Sequence, residues 1–319
     1  MKKLGVVVAM FVALNLPWSV ASVEAKMDNL PRMPGVTLLI GYPPFNLLVT
    51  TTNDKTRRLQ EDAQGDALIS PSMSADGSVV ASAHRISGDP FTRAPRLMVS
   101  TYSMTDDKWT DHKELEVVVG SIAISPDGTK LACVTRRMPD APSGLRILDL
   151  KTGKITVGPE MSERGGAGIS WSPDGRRIAF GKEGDSAAEK TMLIRAIYVF
   201  DVATGAVSKI ADGMSPSWSP SGEWIAFVNA ANQAHSQPEY HVSLMRPDGT
   251  GSRVLTTFRS EVVPDLKPVW SPDSKQLLIN ESRNPDKDTW NIYVLDLGSL
   301  KLTKKFEDTP PVFAWVAAK

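Results

Sequence analysis

The phrase Trp171-Ser172-Pro173-Asp174-Gly175 recurs along the chain. Copies stand at Met73-Ser74-Ala75-Asp76-Gly77, Ile124-Ser125-Pro126-Asp127-Gly128, Trp218-Ser219-Pro220-Ser221-Gly222 and Trp270-Ser271-Pro272-Asp273-Ser274. The fourth positions are 76, 127, 174, 221 and 273, so the spacings are 51, 47, 47 and 52 residues. A period of this size marks stacked β units, a propeller above all, because no single unit can bury its apolar face alone. Each copy is turn chemistry. Pro presets φ for the first turn position, Asp bonds the backbone ahead, and Gly accepts the positive φ that closes a hairpin.

Around each turn the pattern is that of strands. An apolar stretch ends at the turn and an alternating one leaves it, such as Arg177-Ile178-Ala179-Phe180 or Trp224-Ile225-Ala226-Phe227. After a variable loop comes an apolar third stretch, as in Ile197-Tyr198-Val199-Phe200-Asp201-Val202. A Gly-bearing turn and a fourth stretch follow, as in Lys154-Ile155-Thr156-Val157. Four antiparallel strands make one propeller blade. No long 3.6-residue periodicity appears after the N-terminus, which argues against helical repeats.

Five full units are expected at roughly 66–119, 120–166, 167–213, 214–264 and 265–309. The remaining pieces complement one another. Pro311–Val316 resembles a first strand, with Trp315 at the Trp171 position. Val36–Tyr42, Asn46–Thr51 and Lys55–Gln60 then supply strands two to four, with an Asn53-Asp54 turn before the last. Joined, they complete a sixth blade and close the ring, hiding edges that an open sheet would expose. The expected fold is all-β: a six-bladed propeller with one blade shared between the termini.

The N-terminus reads as an export signal. Lys2 and Lys3 precede an apolar run from Leu4 to Leu16, too short to span a bilayer as a helix, and Pro17 ends it. Small residues offer cleavage after Ala21 or Ala25, so the expected organisation is a signal peptide over 1–25 and a single propeller domain over 26–319. A periplasmic or secreted location follows. Cys133 is the only cysteine, so no intramolecular disulfide can form, and its place in Leu131-Ala132-Cys133-Val134 reads as a buried strand position.

The Trp-Ser-Pro-Asp-Gly hairpin, the Ile-Tyr-Val-Phe-Asp-Val third strand and the Met245-Arg246-Pro247-Asp248-Gly249-Thr250-Gly251 turn resemble the TolB-like propeller repeat. The resemblance covers nearly all of the chain after the signal and implies the fold, not an activity. TolB proteins carry an additional N-terminal α/β domain, whereas here few residues separate the signal from the first strand. A stand-alone propeller is therefore expected. Similar repeats form the propellers of prolyl-oligopeptidase-like peptidases, but the Gly-x-Ser-x-Gly nucleophile elbow of their hydrolase domain does not occur in this sequence.

Turns between strands one and two, and between three and four, share one face and are short and uniform, which reads as structural. Loops between strands two and three share the other face. They are read at His84–Arg96, Thr135–Gly144, Gly181–Arg195, Asn229–Tyr240 and Asn280–Thr289. Variable loops on a rigid scaffold are where binding usually resides. The candidate partner contacts there are Arg93, Arg96, Arg136, Arg137, Arg283, His235 and Trp290. Two readings stand: an Arg-rich mouth that recognises carboxylate or phosphate groups, or solvated charge of both signs, with Lys182, Glu183, Glu281 and Asp286 interspersed. The tryptophans at 171, 218, 270 and 315 share a register and are read as packing between blades.

No metal or cofactor is expected. His84, His112, His235 and His241 show no metal-ligand spacing, and Asp286-Lys287-Asp288 lacks the regular series of a calcium loop. The formal net charge is zero, so no global field favours nucleic acid or an anionic membrane. The functional expectation is an exported, non-enzymatic, monomeric binding propeller that engages a protein or peptide through its long-loop face or central channel. The alternatives are a propeller lyase or hydrolase with a site at the channel mouth, and a peptidase-type propeller that works with a separate hydrolase.

Overall fold

The computed structural model describes residues 30–42, 47–52, 55–60, 69–85, 97–115, 118–135, 144–161, 168–183, 195–231, 239–259, 267–284 and 289–318. The expected signal peptide and the Asn53-Asp54 turn lie outside these residues. Twenty-four strands form six four-stranded antiparallel sheets. In chain order, β1 (Val36–Tyr42), β2 (Leu47–Thr51) and β3 (Thr56–Gln60) come first. Blade one follows as β4 (Ile69–Met73), β5 (Val79–Arg85), β6 (Leu97–Ser103) and β7 (Lys108–His112). Blade two is β8 (Val118–Ile124), β9 (Lys130–Thr135), β10 (Gly144–Asp149) and β11 (Ile155–Glu160). Blade three is β12 (Ile169–Trp171), β13 (Arg177–Glu183), β14 (Arg195–Asp201) and β15 (Val207–Asp212). Blade four is β16 (Met214–Trp218), β17 (Ile225–Ala231), β18 (Glu239–Met245) and β19 (Arg253–Arg259). Blade five is β20 (Val269–Trp270), β21 (Gln276–Asn284), β22 (Thr289–Asp296) and β23 (Leu302–Thr309), and β24 (Val312–Ala317) ends the chain.

The last strand returns to the first three. The sheet order β24-β1-β2-β3 makes the shared blade, with Leu38 opposite Trp315 and Val36 opposite Ala317. Innermost strands pack in a cycle: β4 on β8, β8 on β12, β12 on β16, β16 on β20, β20 on β24, and β24 back on β4. The ring is closed, as the two terminal pieces predict. Residues read as loop ends extend the strands instead. His84 and Arg85 belong to β5, Gly181–Glu183 to β13, Asn229–Ala231 to β17 and Asn280–Asn284 to β21. Hydrogen-bonded ladders continue past the apolar pattern because pairing needs only backbone groups, not side-chain hydrophobicity.

The repeated turn has one geometry throughout. In blade three, Ser172 N–H donates to Arg177 O at 2.8 Å and Gly175 N–H to Ser172 O at 2.9 Å. The Asp174 carboxylate accepts from the Ser172 hydroxyl at 2.5 Å and from Arg176 N–H at 3.0 Å. The closing residue has φ of 72° at Gly77, 72° at Gly128, 67° at Gly175 and 78° at Gly222. Ser274 holds the same place in blade five at φ 59°. A second turn series joins strands three and four, where Asp149 and Asp201 accept from Thr152 and Thr204.

The apolar core is divided among the blade interfaces. Between blades two and three, Ala132, Val134 and Leu145 pack against Trp171, Ile178 and Phe180. The Trp171 indole N–H reaches back to Ala123 O at 3.0 Å, and Trp270 reaches Ser217 O at 2.9 Å. The tryptophan register is therefore packing between blades: all four rings are buried, and Trp171 and Trp270 are tied to the innermost strand behind them, whereas Trp218 donates to Gly222 O of its own turn at 3.3 Å. At the seam this bond is missing, since the buried Trp315 Nε1 has no hydrogen-bond partner. The Asn280 side chain supplies another tie. Its amide donates to Val312 O at 2.8 Å and accepts from Val312 N–H at 2.9 Å. On the other side of the shared blade, Arg57 of β3 donates to Met104 O at 3.0 Å and to Asp107 at 2.8 Å.

Candidate functional site

The innermost strands surround the central channel, and a cavity of about 420 Å³ occupies it. Its walls are read most simply in layers, counted from the position that Trp171 holds in its repeat. At that position stand Met73, Ile124, Trp171, Trp218 and Trp270. Two residues later, at the turn, the lining is Ala75, Pro126, Pro173 and Pro220. One residue earlier it is Ser72, Ala123, Ser170, Ser217 and Val269. Two earlier come Ile169, Pro268 and Phe313, and three earlier Lys267. The cavity thus runs from a collar of prolines on the turn face to a lysine at its other end.

Local backbone rules explain this lining. An innermost strand has one ladder partner, so its other edge carries N–H and C=O groups that must be satisfied elsewhere. Pro216 and Pro268 supply no N–H at all. Elsewhere a neighbouring blade's serine accepts. Ile124 N–H donates to Ser72 Oγ at 3.2 Å, Trp218 N–H to Ser170 Oγ at 2.9 Å, and Gly168 N–H to Ser121 Oγ at 3.1 Å. These bonds step from blade to blade and rigidify the bore. Small side chains are required there, because the six strands converge on the axis. Among the described residues of the lining, Lys267 is the only ionisable one.

No protein-family model matches the sequence, and no curated protein matches it. The fold does match solved structures. TolB from Acinetobacter baumannii superposes with a TM-score of 0.64 at 15% identity, over 95% of this chain and 74% of that one. A protein assigned to TolB from Agrobacterium tumefaciens gives 0.60 at 15% identity, over 88% of this chain and 93% of that one. The fold is that of a TolB-like propeller. An oligogalacturonate lyase in complex with manganese is also similar, with a TM-score of 0.51 at 16% identity, over 85% of this chain and 72% of that one. At these identities the likeness concerns the fold and not the activity.

The TolB-like propeller places few of the expected contacts. Arg93, Arg96, Arg136, Arg137 and His235 lie outside the described residues, and of Arg283 only the backbone is described, in β21. Trp290 stands at the start of β22, half-buried, paired with Ser282 and Thr309. His241 is hydrogen-bonded through Nδ1 to Thr257 at 2.8 Å, and the buried His112 through Nε2 to Thr101 at 2.8 Å. No group of three or more His, Cys, Asp or Glu able to hold a metal occurs among the described residues. Cys133 is wholly buried, and burial pushes its thiol up to about 12, which keeps it protonated and inert. No described helix is long and apolar enough to cross a membrane.

The channel lining was the part least visible beforehand. Prolines 126, 173 and 220 looked purely like turn formers, yet they also line the cavity. A signal for the serine layer does exist. The residue before the tryptophan register is Ser72, Ala123, Ser170, Ser217, Val269 and Ala314, a column that is small or hydroxylic at all but one position.

Proposed function

We propose that this chain is an exported binding propeller that holds a segment of a peptide or protein partner in its central channel. The observation that carries this reading is the cavity of about 420 Å³ on the axis, within the range of small-ligand sites. Its tryptophan and proline walls offer apolar contact, and its serines offer hydroxyl donors and acceptors. Binding suits this lining better than acid–base or metal chemistry, since the described lining holds no carboxylate, histidine or cysteine. The Lys2-Lys3 start and the apolar run to Leu16 support export to the periplasm or beyond. The chain acts as a monomer whose ring needs no second copy for closure.

The test is site-directed photo-crosslinking in the native host, with the photoreactive residue at Ala123. A discrete adduct should form and should vanish when Ser170→Trp plugs the bore. An identical adduct pattern in the plugged form, with its melting temperature unchanged, would overturn channel binding.

A further inference from the structure

Buried polar groups without a partner are rare in folded proteins, so their placement carries information. Among the described residues three buried side-chain atoms have none: Ser82 Oγ, Thr309 Oγ1 and Trp315 Nε1. They come from three different strands, yet all lie at the two flanks of the shared blade. Ser82 stands opposite Ser100 in blade one and shares its strand face with Val80, which packs with Leu39, Leu59 and Val316 of the shared blade. Thr309 stands opposite Trp290 in blade five. Trp290 lies two residues from Ile292, whose ladder partner is Asn280, the residue that binds Val312. Thr309 therefore points with Asn280 toward the shared blade. Trp315 belongs to the shared blade itself. Its neighbours Ala314 and Val316 pack toward blade one, so its own ring turns to blade five. There it lacks the bond that Trp171 and Trp270 make to the blade behind them. The other four blade interfaces hold no such atom among the described residues.

An unmade hydrogen bond weakens docking, because separation of the blades returns the group to water. At both flanks of the shared blade undocking relieves this cost. Attachment to blade one also leans on an exposed ion pair, Arg57 to Asp107 at 2.8 Å, for which water competes. The chain adds a further reason. Every other blade is one continuous segment, whereas β24 meets β1 only through a ladder between the two ends. Once undocked, a four-stranded sheet stripped of packing on both faces cannot hold its own ladders. Phe313 of this blade lines the channel, so its opening breaches the channel wall.

We propose that the shared blade is a latch: it undocks and unfolds locally as one unit while the other five blades stay folded, and its unmet polar groups set how often it does so. This goes beyond channel binding and holds whatever the channel takes. The experiment is native-state hydrogen exchange on the full chain, read by mass spectrometry.

Peptides carrying β1, β2 and β24 should exchange at one common rate, about tenfold or more above that of the central strands β9, β13 and β17. Ser82→Ala and Thr309→Val each delete an unmet hydroxyl at nearly constant shape. Each should slow the common rate by about threefold and leave blade three unchanged. Ser172→Ala instead deletes a hydroxyl that donates to Asp174 and accepts from Arg177 N–H, so it should speed exchange in blade three. A shared blade that exchanges no faster than the central strands of the other blades would overturn the proposal. So would unchanged or faster exchange in both hydroxyl deletions. The first comparison uses the unaltered protein, so it decides the matter even if a variant fails to fold.

Discussion

Replacing Asn280 with alanine tests how the ring is fastened. The Asn280 amide makes two hydrogen bonds to one residue of the closing strand, at 2.8 Å to Val312 O and 2.9 Å from Val312 N–H. Val312 is fully buried. Alanine removes both partners and leaves a buried donor and a buried acceptor. Each costs about 1–3 kcal/mol when left unmade, so the expected loss is about 2–6 kcal/mol. That is a large share of the roughly 5–15 kcal/mol that holds a typical domain. A loss of about 3 kcal/mol should lower Tm by about 6 °C in a chain of this size. Urea unfolding followed by circular dichroism measures the total. Native-state hydrogen exchange should place the added opening in β24 and β1. The decisive control is truncation before Val312, which removes the innermost strand of the shared blade. In that background Asn280→Ala should cost almost nothing more, because its partner is gone. A full-length Asn280→Ala protein within about 0.5 kcal/mol of the parent would refute the fastening. So would an equal cost in the truncated chain.

Three further outcomes are expected. Gly249→Ala should destabilise more than Gly175→Ala: both glycines have positive φ, 85° and 67°, but a Cβ at 249 would stand 2.4 Å from Ile210 O while one at 175 meets nothing within 4 Å. The first should lose about 3 kcal/mol or more and the second about 1–2 kcal/mol by chemical denaturation, and equal losses would contradict the packing argument. Stability should fall on acidification: the Ser172 hydroxyl holds Asp174 below the usual carboxylate range, and Ser271 does the same for Asp273. A depressed folded pKa contributes stability above the unfolded value near 4 and loses it as pH falls through the folded one, so Tm should drop below about pH 4 and Asp174→Asn should flatten that drop. Cys133 should resist a thiol reagent in the folded protein and react only at the rate of unfolding, and rapid native labelling would show that its burial is wrong.

The fold was legible because the turns repeat. Pro126, Pro173 and Pro220 with their following Asp or Ser and Gly are demanded by backbone geometry, so the sequence displays them openly, and their spacing counts the blades. Closure was legible because the pieces at both ends were apolar and incomplete. The seam's chemistry was not. Asn280 looks like the start of a polar loop, and only its position in β21 opposite the incoming Val312 turns it into a tie. Leu300 was equally hidden. It sits at φ 54° where Gly153 and Gly205 hold the matching turns, a conformation that a leucine does not advertise. The channel was half-legible. Its hydroxyl column could be read from the residues before each tryptophan, but that Lys267 shares their cavity depends on a register outside the repeated phrase.

The same constraint shapes both the stability of the ring and its bore. Innermost strands expose one backbone edge to the axis, and a closed ring has no room there for further strands. Serines 72, 121 and 170 meet this demand by bonding the next blade's N–H groups, and prolines 216 and 268 meet it by having none. Both solutions keep side chains short, so a narrow passage remains. Asymmetry between blades cannot arise from the repeat itself, because equivalent residues would present the same group on every blade. Lys267 breaks the repeat: its counterparts Ser70, Ser121, Gly168, Ser215 and Val312 are all uncharged. Lys267 thus places one lysine at one end of a described wall that is otherwise without ionisable residues. In a ring of near-equivalent blades, a departure of this kind is where selectivity can be built without disturbing closure.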